Sequence, residues 1–218
     1  MSGKTRLVIF DCDGVLVDSE PIANRVFAQA LAELGLHLSD EQMFDYFIGR
    51  SMPYCLGVVE RLLGRSVPNT FLADLQARTF AALAAELRPM PHIEYALDRI
   101  TAPCCVASSG DHEKMRTTLG STGLLPRFEG RLFSVTQVPH AKPAPDVYLY
   151  AAEQMGAAPG TCVVVEDTPP GVQAGAAAGM TVLGYCAHTP AAKLRSAGAH
   201  VTFDDMRLLP RLLLETRA

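Results

Sequence analysis

The sequence predicts an α/β fold, a doubly wound parallel sheet into which a small helical domain is inserted after the first strand. Short apolar runs alternate with helical patterns over the second half of the chain, and this alternation is typical of a parallel sheet with right-handed crossovers. Residues 16–87 carry helical patterns and no convincing strand. We therefore expect a core domain made of 1–15 and 88–218, and a helical cap made of 16–87.

The first predicted element is a buried strand at Arg6–Phe10. Its apolar residues run directly into Asp11, where turn chemistry begins. The cap then begins with a helix, because Ser19 is a good N-cap and is followed by Glu20 and by Pro21 in the first turn.

Three further cap helices are indicated by apolar residues at helical spacing. The first of them begins at Ser39, which is followed by acidic residues that suit a helix start. The second covers 52–63 and ends at Gly64, and the third covers 71–87 and ends before a proline.

The rest of the core alternates between the two kinds of element. Runs rich in Val, Cys and Leu, bounded by Ser, Gly, Asp or Pro, predict strands. The predicted strands are 104–107, 132–135, 162–165 and 181–183, and the predicted helices are 92–100, 113–119, 146–155 and 171–178.

Polar side chains follow each of the first four predicted strands. The carboxyl ends of parallel strands lie at one edge of a sheet, so we expect these side chains to meet there. They are Asp11 and Asp13 after the first strand, Ser108 after the second, Lys142 after the third, and Glu166 and Asp167 after the fourth.

The chemistry of this set points to phosphoryl transfer. Four carboxylates repel one another, a divalent cation relieves that repulsion, and oxygen ligands favour Mg²⁺. Lys142 and Ser108 are donors suited to a phosphoryl group, and an aspartate can act as a covalent nucleophile. The Asp13-Gly14 pair alone is also explained by a simple turn, so the prediction depends on the whole combination.

Composition excludes several other classes. The net charge is −4 and no block of Lys and Arg occurs, so nucleic acid is not expected as a partner. No apolar run reaches the length of a membrane span and no signal peptide is recognisable, so we expect a cytoplasmic protein, monomeric by default. Cys55 and Arg61 have the spacing of a cysteine phosphatase loop, but their segment is an amphipathic helix pattern.

The stretch from Asp11 to Glu20, followed by Ser108, Lys142 and the pair Glu166-Asp167, resembles the four ordered motifs of the haloacid dehalogenase superfamily. The helical insertion resembles the branch of that superfamily with a small helical cap. Within it, the resemblance is strongest to the 6-phosphogluconate phosphatase type and extends to β-phosphoglucomutase-like enzymes. The resemblance implies a Rossmann-like core and an Mg²⁺-dependent reaction through a phospho-aspartate.

The resemblance also implies the roles of the four acids. Asp11 is expected to be the nucleophile and an Mg²⁺ ligand, and Asp13 the general acid and base, which lends its backbone carbonyl to the metal. Asp167 is expected to be an Mg²⁺ ligand. Glu166 is expected beside it, bound to the metal directly or through water.

Substrate contacts are carried over in the same way. Ser108 and Lys142 are expected to bind the phosphoryl oxygens, and Ser109 lies next to them, where many relatives have Asn. Arg50 and Ser51 are candidate substrate contacts on the cap. The expected partner is therefore a small phosphorylated metabolite, and the expected activity is hydrolysis of a sugar or sugar-acid phosphate such as 6-phosphogluconate.

Several alternatives remain open at this point. A phosphosugar mutase of the β-phosphoglucomutase kind would carry Lys and Arg where this chain has Ile48 and Met52. A phosphoglycolate phosphatase shares the same four motifs. A dehalogenase on this fold lacks an acid at the position of Asp13 and needs no metal, and a non-catalytic relative would be expected to have lost a motif.

Overall fold

The structure is a computed structural model that describes residues 5–47 and 52–216. The chain divides into two compact units. The core unit combines the residues up to Asp18 with those from Arg88 onward, and the cap unit is Ser19–Leu87.

The core unit is built on a parallel sheet with six strands among the described residues, in the order β3-β2-β1-β4-β5-β6. Its central strands are buried and apolar, as expected of a sheet covered by helices on both faces. The strands are β1 (Leu7–Phe10), β2 (Cys104–Ser108), β3 (Leu132–Ser134), β4 (Cys162–Glu166), β5 (Thr181–Tyr185) and β6 (Val201–Phe203).

The strand order reverses beside β1. From β1 the chain builds outward through β2 and β3, then returns to the other side of β1 with β4 and continues outward to β6. Phe10 is aligned with Val106 on one side and Val165 on the other, so the carboxyl ends of the three strands lie within two residues of one another. The crevice at such a reversal is the usual ligand site of an open α/β sheet.

Six core helices complete this unit within the described residues. The predicted helix at 92–100 is shorter in the structure: it begins at Ile93, because His92 has a positive φ of 64° and cannot be helical, and it ends at Leu97. The six core helices are α5 (Ile93–Leu97), α6 (His112–Ser121), α7 (Asp146–Gln154), α8 (Pro169–Ala177), α9 (Ala191–Ala197) and α10 (Leu209–Glu215).

Helices are the only regular secondary structure of the cap unit within its described residues, as the sequence predicts. An apolar cluster holds it together, in which Phe27 packs edge-on against Phe47 at 5.0 Å between ring centroids. Its helices are α1 (Glu20–Glu33), α2 (Asp40–Phe47), α3 (Met52–Leu63) and α4 (Phe71–Glu86). None of the described helices in either unit combines the length and the apolar character needed to cross a membrane.

Candidate active site

The end of β1 delivers the first acid to the point where the strand order reverses. The backbone N–H of Asp11 donates to the carbonyl of Val165 at 3.0 Å, which prolongs the pairing with β4 by one residue. The Asp11 side chain is buried as a result. A buried carboxyl group at this place needs compensating positive charge or hydrogen bonds.

Lys142 supplies that charge. Its Nζ donates to Asp11 Oδ1 at 2.6 Å, to Glu166 Oε1 at 2.9 Å and to the carbonyl of Ala107 at 3.1 Å. An ammonium group has three protons, so these three acceptors use its full capacity. Lys142 therefore ties the ends of β1, β2 and β4 together through one buried cation.

The ionisation of this pair follows from its surroundings. Burial raises the pKa of Asp11 to about 7, although the charge of Lys142 opposes the rise. Burial alone would lower the pKa of Lys142, but the charges of Asp11 and Glu166 outweigh it and hold that pKa well above its usual value. Additional positive charge at this edge would favour the ionised form of Asp11.

The turn after β1 lies against Asp167, the acid that follows β4, and the two meet at Gly14. Gly14 has a φ of +76°, and a Cβ placed there would lie 2.1 Å from Asp167 Oδ2. The turn closes with a hydrogen bond of 2.8 Å from the Gly14 N–H to the carbonyl of Val17. Only glycine meets both the conformational and the steric requirement, so the Asp-Gly step is part of the site and not simply a turn.

Glu166, which the sequence predicts to lie beside the metal, accepts hydrogen bonds from protein donors on both of its carboxylate oxygens. Its Oε1 accepts from Lys142 and from the Tyr148 hydroxyl at 3.1 Å, and its Oε2 accepts from the N–H of Thr168 at 2.8 Å and its hydroxyl at 2.9 Å. A Cβ at Gly171 would lie 1.6 Å from Oε1, so helix α8 packs directly on this carboxylate. These four donors hold Glu166 between Lys142 and the start of α8.

The two serines predicted to contact the phosphoryl group, Ser108 and Ser109, lie at the carboxyl end of β2. Ser108 is buried and its Oγ accepts from the Gly110 N–H at 3.0 Å, whereas Ser109 is exposed. Gly110 is in turn fixed by the Ser134 hydroxyl, which donates to its carbonyl at 2.8 Å. The Ser108 hydroxyl thus lies in a loop that two neighbouring strands hold in place.

The predicted cap contacts cannot be placed in the same way. Arg50 and Ser51 lie outside the described residues, as does Ile48. Met52 is described, and it is exposed at the first turn of α3.

Comparison with known proteins agrees with this arrangement. Residues 5–179 match the model of a hydrolase family, the haloacid dehalogenase-like hydrolases. The chain is 34% identical to the 6-phosphogluconate phosphatase of Escherichia coli strain K12 over 210 residues, which cover 96% of this chain and 95% of the relative. The chain belongs to the haloacid dehalogenase-like hydrolase family.

Solved structures of this family share the fold. A haloacid dehalogenase-like protein of unknown function from Agrobacterium tumefaciens superposes with a TM-score of 0.90 at 33% identity, covering 96% of this chain and 98% of that one. A family hydrolase from Deinococcus radiodurans, with bound phosphate and sodium, gives 0.83 at 31% identity, covering 99% and 97%. The predicted superfamily and its Rossmann-like core are confirmed, as is the class of enzyme, a phosphatase-type hydrolase.

The structure of this haloacid dehalogenase-like hydrolase brings a second cation to this edge of the sheet, where the sequence analysis predicts only Lys142. Lys114, on the first turn of α6, donates from Nζ to Asp13 Oδ2 at 2.6 Å. A lysine in the first turn opposes the helix dipole, and that helix begins at the carboxyl edge of β2. Both features are visible in the sequence and indicate a cation near this edge, but they do not show that it contacts Asp13.

Proposed function

We propose that this chain is an Mg²⁺-dependent phosphatase of small sugar or sugar-acid phosphates that works through a phospho-aspartate at Asp11. The observation that carries the proposal is the bridge of Lys142 between Asp11 and Glu166 at the reversal of the strand order. It holds a buried carboxylate beside a fixed positive charge, as an attacking group requires when the phosphoryl oxygens around it are negative.

The reaction divides between two aspartates. Asp11 attacks phosphorus, a bond forms between its carboxylate oxygen and phosphorus, and the bond from phosphorus to the sugar oxygen breaks. Asp13 gives a proton to that departing oxygen. Asp13 then takes a proton from water, whose oxygen displaces Asp11 and releases inorganic phosphate.

The phosphoryl group is bound by donors on the neighbouring strands. Lys142 offsets the negative charge of the nucleophile and of the transferred group. Ser108 and Ser109 supply hydroxyl groups from the end of β2, with Ser108 the more rigid because it is buried and fixed through Gly110.

The donor set fits Mg²⁺. Asp11, Asp167 and the backbone carbonyl of Asp13 would hold the ion, which would offset charge on the phosphoryl oxygens. Four carboxyl groups, including Glu166, stand against two ammonium groups at this edge, so a divalent ion balances the side chains named here.

The fit is to a metal that keeps waters and substrate oxygens as ligands. No group of three or more His, Cys, Asp or Glu side chains within 5–47 and 52–216 is placed to hold a metal ion together. Mg²⁺ usually takes one or two carboxylates together with water and phosphate oxygens, and it needs no such group.

The substrate class is proposed from the relatives. The Escherichia coli relative at 34% identity is a 6-phosphogluconate phosphatase, so 6-phosphogluconate is the first substrate that we expect. Arg50 and Ser51 of the cap are proposed as contacts to the sugar part of the substrate.

A panel of phosphorylated metabolites tests this function. The purified protein with Mg²⁺ should release phosphate from sugar-acid or sugar phosphates, and excess EDTA should abolish the release. Asp11→Asn should be inactive on every member, while Asp98→Asn, which changes an exposed acid on the core surface, should be fully active. Turnover by Asp11→Asn, or interconversion of hexose 1- and 6-phosphates without phosphate release, would contradict the proposal.

A further inference from the structure

We infer that Lys114 is a positioning residue, which holds the Asp13 carboxylate where it meets the leaving oxygen of the substrate. The inference rests on the proposed function, because it assigns Lys114 a role through the acid and base of that reaction. Its basis is the contact of 2.6 Å between Lys114 Nζ and Asp13 Oδ2, across 101 residues of sequence.

The path of the Lys114 side chain is built into the loop after β2. A Cβ at Gly110 would lie 3.1 Å from Lys114 Cδ and 3.4 Å from Ser108 Oγ. The glycine therefore leaves the space through which the lysine passes beside the phosphoryl-binding serine. A larger residue at Gly110 would push the lysine away from Asp13.

The helix that carries Lys114 is fixed against the loop of the two aspartates. Asp111 caps α6 by accepting from the Lys114 N–H at 2.8 Å, which sets the first turn. One turn later the Thr118 hydroxyl donates to the Lys114 carbonyl at 2.9 Å and lies 3.8 Å from the sulfur of Cys12. Cys12 lies between the two aspartates in the sequence. Thr118 therefore links the backbone of Lys114 to the loop that carries Asp13.

The other cation of the site cannot do this work. Lys142 has three protons, and Asp11, Glu166 and the Ala107 carbonyl use them. The two lysines are thus divided between the two aspartates, one for the nucleophile and one for the acid and base. Asp13 has a short side chain that is partly exposed, and a charged hydrogen bond selects one of its rotamers.

Two aryl phosphates of nearly equal shape test the inference. Phenyl phosphate has a poor leaving group that needs the proton of Asp13, whereas 4-nitrophenyl phosphate departs without it. Lys114→Met should lower kcat/KM for phenyl phosphate about 30-fold but for 4-nitrophenyl phosphate less than about threefold, since general acid catalysis contributes about 100-fold or more. Lys114→Arg should restore phenyl phosphate hydrolysis to within about threefold of the wild type.

The controls separate position from folding. Lys193→Met removes an exposed lysine of the core surface and should leave both substrates unchanged. In an Asp13→Asn background, Lys114→Met should cost less than about twofold more, because the two residues act as one unit. Thermal unfolding of each variant reports on folding.

Four results would contradict the inference or the function on which it rests. Equal losses on both aryl phosphates, or a loss that persists in Asp13→Asn, would overturn the positioning role. If Asp13→Asn slows phenyl phosphate selectively and Lys114→Met does not, the inference fails while the proposed function stands. If Asp13→Asn itself shows no selectivity, the proposed function fails.

Discussion

Two lysine–aspartate pairs lie at the same edge of the sheet. Their nitrogen–oxygen distances are equal, but the pairs differ in how deeply they are buried. Lys142 Nζ and Lys114 Nζ both lie 2.6 Å from a carboxylate oxygen, of Asp11 and Asp13 respectively. The side chains of the first pair are 4% and 8% exposed, and those of the second are 37% and 24% exposed. The distance alone therefore does not show what each pair does.

Burial sets how easily each pair can separate. Breaking the buried pair leaves an uncompensated charge out of water, so Lys142 acts as a fixed charge beside Asp11. The second pair is partly exposed, so separating it costs less than separating the buried pair. This matches a carboxyl group that must give a proton and then take one, as we propose for Asp13.

The largest expected effect comes from removing the buried cation. Lys142→Met keeps most of the side-chain volume and should lower the free energy of unfolding by about 4 kcal/mol, because Asp11 and Glu166 lose their shared partner. Phosphatase activity should fall by about 1000-fold or more. Urea unfolding and phosphate release measure the two effects.

Lys114→Met is the matched control for this comparison. It should lower the free energy of unfolding by less than about 1 kcal/mol, as is usual for a partly exposed pair. Equal destabilisation by the two variants would show that burial does not separate the pairs.

A smaller effect is expected where Gly14 meets Asp167. Gly14→Ala should lower the free energy of unfolding by about 3 kcal/mol, because the new Cβ is strained at positive φ and clashes with the carboxylate. It should also raise the Mg²⁺ concentration needed for half-maximal activity. Gly156→Ala has a similar φ of +65° but open space around its Cβ, and it should cost only about 1 kcal/mol and leave Mg²⁺ use unchanged.

A smaller effect again than that of Gly14→Ala is expected where Tyr148 reaches Glu166. Tyr148→Phe keeps the ring 4.7 Å below Lys142 Nζ and removes only the hydroxyl that donates to Glu166. It should lower the free energy of unfolding by about 1 kcal/mol. Tyr150→Phe removes a hydroxyl at the surface and should change stability by less than about 0.5 kcal/mol, so similar values for both would argue against a buried network.

The sequence predicts the parts of this comparison that depend on order along the chain. Asp11, Ser108, Lys142 and Asp167 each follow a recognisable strand, and a parallel sheet brings such positions to one edge. The strands themselves are predictable because their apolar runs are bounded by turn residues. By contrast, β6 is missing from the prediction, since Thr202 interrupts its apolar residues and leaves no apolar run.

The parts that depend on side-chain direction could not be predicted. The contact of Lys114 with Asp13 requires the rotation of α6 and the space above Gly110, neither of which a motif specifies. The commitment of Glu166 to protein donors depends on where Tyr148 and Thr168 fall in the fold. An acid in a motif shows which groups can bind a metal, but the motif does not show which protein donors surround that acid.

The central claim, a phosphoryl group carried on Asp11, is tested most directly by trapping it. Asp13→Ala incubated with Mg²⁺ and 4-nitrophenyl phosphate should take up a phosphoryl group, because the leaving group departs without an acid and water then has no base. Acid quenching, proteolysis and mass spectrometry should place one phosphoryl group on Asp11. The absence of any phosphorylated species, or a phosphoryl group on another residue, would contradict the account.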